Sequence, residues 1–197
     1  MSAAPKIYCD TSTLAPNISD QASLLELDAL KQLQELFKAG KCTLHYSHIV
    51  QAELERTKDP ARRAALKADC ELLERIRHDE KPIGFNTMSD HRGLFTTGHF
   101  IFQDVHDPKL CKAIYAEIKK RVSRANDFAT RRDAQHLAQA IFNMCDYFLT
   151  RDVKTIIKPM RGWLEQTYPP LLIRRPSECL ADICGARQEA TCEGKAR

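Results

Sequence analysis

Acidic side chains occupy the places in this sequence where a metal ion could be held. Asp10 ends the apolar run 7–9, and Asp152 follows the run 147–150. The carboxyl ends of neighbouring parallel strands meet in one crevice, so these two carboxylates can lie close together. Glu53 and Asp133 fall on predicted helices between them. Grouped carboxylates repel unless a cation neutralises them, and Mg²⁺ or Mn²⁺ prefers oxygen ligands beside phosphate. The first hypothesis is metal-dependent phosphodiester chemistry.

Each acid also has a structural explanation when it is taken singly. Asp10 can close an Asx turn, and Asp152 can cap the next helix. Glu53 can be a solvated helix residue, and Asp133 can form a capping box with Thr130. The hypothesis of a site therefore depends on the four acids occurring together.

The elements that must position these acids alternate between strand and helix. Apolar periodicity predicts strands over residues 6–10, 42–46, 147–150 and 171–174. It predicts helices over residues 19–40, 47–59, 60–78, 108–124 and 130–145, a helical piece broken at Pro159, and a last helix from Ser177. Strands separated by helices favour a mainly parallel sheet covered on both faces. The predicted fold class is three-layer α/β/α.

The chain length predicts one domain over residues 1–184, with a helical and loop insertion at about 60–126 and a disordered tail over 185–197. Residues 81–108 are predicted to be a long loop or small subdomain. Its phenylalanines could stack on unpaired bases or form the insertion's own core: Phe85, Phe95, Phe100 and Phe102. Its histidines lack the spacing of a metal site: His91, His99 and His106.

The composition, 43% hydrophobic and 28% charged, is typical of a soluble globular protein. No apolar stretch approaches the roughly 20 residues that cross a bilayer, and residues 1–6 form no signal core, so we expect a cytoplasmic protein with no membrane partner. Eight cysteines without a CxxC pair predict buried, reduced thiols instead of a disulfide framework or a zinc site.

Short motifs around the acids resemble the PIN domain family of metal-dependent nucleases. They are Asp10-Thr11-Ser12 and the segments 47–53, 133–140 and 146–152, with 173–178 suiting the family's last strand and helix. The resemblance covers residues 6–58 and 127–183. The interval between Pro60 and Asn126 is longer than in compact members, which leaves the substrate open.

The resemblance implies a site and an activity. Its catalytic residues and metal ligands would be Asp10, Glu53, Asp133 and Asp152, holding Mg²⁺ or Mn²⁺ directly or through water. The implied reaction is endonucleolytic hydrolysis of RNA by metal-activated water, leaving a 5′-phosphate and a 3′-hydroxyl. RNA is the implied partner. A toxin-type member would also form a homodimer and bind a protein antitoxin, although the long insertion is a poor match to a compact toxin.

Neighbouring polar residues have two interpretations each. Ser12 and Thr150 lie two residues from Asp10 and Asp152, so their hydroxyls could orient a carboxylate or a metal-bound water, or could be ordinary turn residues. His136 shares a helix face with Asp133 and could contact a phosphate, but a core or supporting histidine is favoured. A basic run before Asp133 could bind RNA or be a solvated face: Lys119, Lys120, Arg121, Arg124, Arg131 and Arg132.

Two other functions compete with the nuclease. A haloacid dehalogenase-type phosphatase also places an Asp after its first strand, but that family usually needs a second Asp where this chain has Ser12. A PIN-like RNA-binding or scaffold protein whose catalysis has lapsed would not need the four acids. This chain keeps all four of them, which favours the enzyme.

Overall fold

The computed structural model describes residues 4–14, 21–55, 57–75, 108–122 and 126–193. Its strands are β1 (Lys6–Cys9), β2 (Thr43–Tyr46), β3 (Glu74–Arg75), β4 (Tyr147–Leu149) and β5 (Leu172–Arg174). Its helices are α1 (Thr11–Leu14), α2 (Gln21–Lys38), α3 (His48–Glu55), α4 (Pro60–Glu71), α5 (Pro108–Arg121), α6 (Asp127–Phe142), α7 (Lys158–Thr167) and α8 (Pro176–Glu193). A π-helical turn, Val153–Ile157, lies between β4 and α7.

The strands form one sheet in the order β3-β2-β1-β4-β5, and every neighbouring pair is parallel. β1 lies at the centre, where Tyr8 is paired with His45 of β2 and with Phe148 of β4. The predicted parallel α/β sheet is therefore confirmed. Because β1 and β4 are adjacent, the residues that follow them reach the same edge of the sheet.

Side chains that alternate along the central strands build one apolar core on each face of the sheet. Ile7 and Cys9 pack with Leu149 beneath α2, α3, α4 and α8. Tyr8 and Phe148 project to the other face, with ring centroids 5.5 Å apart, and pack beneath α5, α6 and α7. Helices thus cover both faces, which confirms the three-layer prediction.

Two local predictions are wrong. The helix predicted to reach about residue 78 ends at Glu71 and is followed by β3, an edge strand too short to show an alternating pattern. Pro159 does not break a helix but lies in the first turn of α7. A proline is tolerated there because the first N–H groups of a helix have no partner within it.

The last helix also differs from expectation. α8 continues past Gly185 to Glu193, although the sequence predicts a disordered tail there. The stretch 186–190 consists largely of good helix formers, which accounts for the continuation. The predicted loop with its phenylalanines and histidines lies outside the described residues. Within the described part of the chain, no helix is long and apolar enough to cross a membrane.

The cysteines agree with the prediction of buried, reduced thiols at most positions. Six are buried and reduced: Cys9, Cys42, Cys70, Cys111, Cys145 and Cys179. Cys184 is reduced but exposed. Burial raises the pKa of Cys179 well above the ordinary range of a thiol, so this thiol stays protonated. The six buried cysteines therefore serve as small apolar core residues.

Candidate metal centre

The site lies where β1 and β4 end side by side. The Asp10 N–H donates to the carbonyl of Leu149 at 3.0 Å, which carries the pairing of the two strands one residue beyond β1. The Asp10 side chain is buried at this edge. Thr150 follows β4 directly, and Asp152 comes two residues later. The two strand ends that the sequence predicts to converge therefore do so in the structure.

Two hydroxyls hold one oxygen of Asp10. Ser12 Oγ and Thr150 Oγ1 each donate to Asp10 Oδ2 at 2.8 Å. The same hydroxyl oxygens accept backbone N–H groups, Ser12 from Arg151 at 2.9 Å and Thr150 from Asp152 at 3.1 Å. The carboxylate is thereby fixed in orientation, and its other oxygen, Oδ1, faces His136.

Glu53 and His136 reach Asp10 from two different helices. His136 Nε2, on α6, lies 3.5 Å from Glu53 Oε2 on α3 and 3.9 Å from Asp10 Oδ1. One ligand-type atom from each of the three residues lies within 4.8 Å of the others. The sequence favours His136 as a core or supporting histidine, whereas the structure places its ring nitrogen among the carboxylates. The available signal was its spacing three residues after Asp133.

A buried tyrosine orients the histidine. Tyr8 Oη lies 2.8 Å from His136 Nδ1 and 2.6 Å from Ser47 Oγ. All three side chains are buried. Because Nδ1 is occupied in this way, the ring presents Nε2 to Asp10 and Glu53. Nothing in the sequence distinguishes Tyr8 from an ordinary core residue of a strand, so its role could not be predicted.

Burial and the neighbouring acids disfavour the charged form of Asp133. Burial, followed by the charges of Asp10 and Asp152, raises the pKa of Asp133 from its ordinary value of 3.8 to about 8, with a smaller contribution from Glu53. The positive charge of His136 opposes this rise without cancelling it. Asp133 therefore lies within the field of the other three acids, and it keeps its proton near neutral pH when no cation is bound.

Asp152 is placed differently from the other acids. Its Oδ1 accepts the N–H groups of Lys154 at 2.9 Å and Thr155 at 2.8 Å, so it caps the π-helical turn. The helix-capping explanation of Asp152 is therefore present in the structure. Its charge nevertheless raises the pKa of Asp133, which places it beside the same crevice. Capping and metal binding are compatible roles for Asp152, because one carboxylate oxygen can accept the N–H groups while the other faces a hydrated ion.

Two cationic groups neutralise Glu53. Burial acts to raise the pKa of Glu53, but the hydrogen bond and charge of His136, followed by the charge of Arg132, lower it to about 2. Arg132 Nη1 lies 2.5 Å from Glu53 Oε1. Burial acts to lower the pKa of His136, yet Glu53, Asp10 and Asp133 together raise it. Glu53 is therefore ionised, with Arg132 beside Oε1 and His136 beside Oε2.

Of the basic residues predicted to bind RNA, Arg132 contacts the site, whereas the other described ones contact groups elsewhere on α5 and α6. Arg132 pairs with Glu53, and its guanidinium lies 4.4 Å from the centroid of the Phe128 ring. The remaining described cations contact other groups: Lys119 with Asp127 at 2.7 Å, Lys120 and Arg121 with Glu117 at 3.8 and 2.5 Å, and Arg131 over the Tyr115 ring at 5.7 Å. Arg124 lies outside the described residues. Acids of α5 and α6 thus partly neutralise the predicted RNA-binding face.

The donor set fits a hard or borderline divalent cation. Carboxylate oxygens of Asp10 and Glu53 and an imidazole nitrogen converge on one place, and the carboxyl groups of Asp133 and Asp152 lie beside it. The Thr11 hydroxyl is buried near Glu53, close enough to stabilise its charge, but meets no hydrogen-bond partner of good geometry among the described residues. A water molecule of a hydrated ion would satisfy it.

Comparisons with protein-family models and curated proteins found no relative of this chain. No protein-family model matches the sequence, and no curated protein matches it. The interpretation of the site therefore depends on its own geometry. That geometry consists of a held Asp10 carboxylate, an ionised Glu53 and an oriented His136 at one edge of a parallel sheet.

Replacing Arg132 by Gln tests whether the guanidinium neutralises Glu53 in the place of a metal ion. We expect Arg132→Gln to lower the free energy of unfolding of the metal-free protein by about 1 to 2 kcal/mol, because Glu53 loses a partly buried partner. Saturating Mn²⁺ should remove most of the difference. Thermal unfolding with and without Mn²⁺ measures both effects. The adjacent Arg131→Gln is the matched control, and an equal deficit in Mn²⁺ would contradict the expectation.

Proposed function

We propose that this protein is a divalent-metal-dependent ribonuclease of the PIN type. The observation that carries the proposal is the convergence of Asp10, Glu53 and His136, with ligand-type atoms within 4.8 Å of one another, at the carboxyl edge of a parallel sheet. The raised pKa of Asp133 supports it, since four acids share one field there. Grouping acids in this way is unfavourable for a metal-free protein and favourable once a cation is bound.

The chain's own residues have distinct tasks in this proposal. Asp10 and Glu53 would hold the cation, and Asp133 and Asp152 would hold waters that hydrate it. A divalent cation in such a site activates water for attack on phosphorus and offsets charge on the leaving oxygen. Ser12 and Thr150 keep the Asp10 carboxylate in one orientation through their hydrogen bonds to Oδ2. Water as nucleophile leaves a 5′-phosphate and a 3′-hydroxyl, and no covalent enzyme intermediate is needed.

The contacts of Asp10 argue against a phosphoaspartyl phosphatase. Ser12 donates to Asp10 Oδ2, so a hydroxyl stands where that chemistry would use a second carboxylic acid. A serine hydroxyl is a poor general acid at neutral pH. Thr150 donates to the same oxygen, which reduces its nucleophilicity. Hydrolysis by water accounts for these contacts better than attack by Asp10.

A silent RNA-binding or scaffold protein is the second candidate, and one observation favours it. Arg132 already occupies Glu53 Oε1 at 2.5 Å, so the site is partly neutralised without a metal. Cationic groups on α5 and α6 would then contact phosphates while the acids remain structural. The two candidates differ in whether a divalent ion displaces this ion pair and supports cleavage.

The decisive experiment is incubation of the full chain with a transcriptome-wide RNA pool in Mn²⁺, Mg²⁺ or EDTA, followed by mapping of the cleaved ends. We expect internal cuts that carry 5′-phosphates in Mn²⁺ and none in EDTA, because the carboxylates alone cannot activate water. Asp28→Asn, an exposed substitution on α2, is the control that should cleave like wild type. RNA binding without cleavage in any divalent ion would favour the scaffold instead.

A further inference from the structure

We infer that His136 is a direct ligand of the metal through Nε2, which makes this a mixed oxygen and nitrogen site that selects Mn²⁺ over Mg²⁺. The inference rests on the proposed function for the existence of a metal site, and it goes beyond the four acids that the sequence indicates. It assigns His136 a task that neither RNA binding nor core packing would require.

The distances from His136 Nε2 to the two carboxylates match those between ligands of a shared ion. A charge-assisted hydrogen bond between an imidazolium and a carboxylate has a length of about 2.7 to 2.9 Å. His136 Nε2 instead lies 3.5 Å from Glu53 Oε2 and 3.9 Å from Asp10 Oδ1. Ligand atoms about 2.1 Å from one ion are roughly 3 Å apart when adjacent and roughly 4.2 Å apart when opposite. The observed distances fall within that interval.

The hydrogen bonds of Tyr8 select the tautomer that a ligand needs. Tyr8 has one hydroxyl proton, and at 2.6 Å Ser47 Oγ is its nearer acceptor. The Tyr8 oxygen can then accept from His136 Nδ1–H at 2.8 Å, which leaves Nε2 as the ring nitrogen that faces the carboxylates and can exchange its proton for a cation. Histidines that bind metals typically donate their other ring N–H in this way. The chain Ser47–Tyr8–His136 therefore prepares Nε2 for coordination.

The donor set has a consequence for which metal is bound. Mg²⁺ requires near-octahedral oxygen coordination and keeps much of its water, so an imidazole nitrogen adds little to its affinity. A first-row transition ion gains from imidazole, and Mn²⁺ among them also suits carboxylate oxygens. His136 is 1% exposed, so bulk water does not compete with it for the ligand position. Selectivity for Mn²⁺ follows from replacing one oxygen ligand by nitrogen.

Pulsed electron paramagnetic resonance of the full chain with substoichiometric Mn²⁺ tests the inference. We expect echo modulation from a directly bound ¹⁴N nucleus, which should be lost in His136→Gln. The dissociation constant for Mn²⁺ should rise by about 10-fold or more in that variant, while that for Mg²⁺ changes little. His45→Gln is the matched control, since the buried His45 ring contacts Thr43 on β2 and its loss should leave the modulation unchanged.

A second variant keeps the test valid if His136→Gln does not fold. Tyr8→Phe retains the ligand but removes the acceptor of Nδ1–H, so we expect the nitrogen modulation to persist with Mn²⁺ affinity about 10-fold weaker. Bound Mn²⁺ without nitrogen modulation, or no bound Mn²⁺ at all, would overturn the inference. RNA cleavage without nitrogen modulation would overturn His136 as a ligand but leave the proposed nuclease standing. Nitrogen modulation without RNA cleavage would uphold it and count against the nuclease.

Discussion

Replacing Asp10 by Asn should lower kcat/KM for Mn²⁺-dependent RNA cleavage by about 10³-fold or more. Ser12 and Thr150 donate to Oδ2, and the amide oxygen of Asn can accept both hydrogen bonds, so the shape of the site is kept. The substitution removes the negative charge that faces His136 and, in the proposal, the cation. Initial cleavage rates measured over a range of Mn²⁺ concentrations would separate weaker metal binding from slower chemistry.

The same loss is expected at Asp152, whose charge is part of the field around Asp133. Asp152→Asn can still accept the N–H groups of Lys154 and Thr155 through its amide oxygen, so the cap on the π-helical turn is kept. Asp28→Asn on α2 provides the matched control for removing one carboxylate. Full activity in both site variants, with unfolding curves like that of wild type, would refute the proposed site.

Replacing Asp133 by Asn should stabilise the metal-free protein, by an amount on the order of 5 kcal/mol at pH 8. Burial and the neighbouring acids raise the pKa of Asp133 from 3.8 to about 8. Below pH 3.8 the group is protonated in both the folded and the unfolded protein, so it causes no penalty. As pH rises toward 8 the unfolded chain loses this proton and the folded chain keeps it, so the free energy of unfolding falls. Asn removes this loss because it never ionises.

Denaturant unfolding in EDTA from pH 4 to pH 8.5 measures this effect. The stability difference between Asp133→Asn and wild type should be small at pH 4 and increase toward pH 8, whereas Asp28→Asn should show no such trend. Saturating Mn²⁺ should reverse the order, because wild type gains more from a cation that binds only the folded state. A variant no more stable than wild type at pH 8 in EDTA would contradict the electrostatic account.

Asp10→Asn and Asp133→Asn change the same group of acids, but we expect them to have different main effects. Asp10→Asn removes a negative charge from a buried group of acids, and Asp133→Asn removes an acid whose ionisation the others disfavour. The first removes a carboxylate whose orientation is held by two hydroxyls, and we expect mainly activity to be lost. The second removes the carboxylate with the strongest repulsion, and we expect stability to be gained. A gain in stability with a loss of metal-dependent function is the expected trade-off at a binding site.

The strands and the positions of their terminal acids could be predicted from the sequence. The run 7–9 before Asp10 and the run 147–149 before Thr150 are short, apolar and rich in aromatic or branched residues, which favours buried strands. Since helices separate the strands along the chain, parallel pairing was also predictable. Convergence of Asp10 and Asp152 at one edge follows from that pairing. Two-residue β3 was not predictable, because it carries no periodic signal.

The sequence pattern shows which face of a helix is apolar, but it does not show how far that helix slides or rotates over the sheet. That placement depends on side chains from distant segments packing into one core. Packing of α6 against Tyr8 brings His136 Nε2 to Asp10 and Glu53, although residues 8 and 136 are far apart in the chain. The same placement turns Arg132 toward Glu53 instead of toward solvent. Local periodicity thus accounts for the strand-end acids, whereas long-range packing accounts for the histidine and arginine that complete the site.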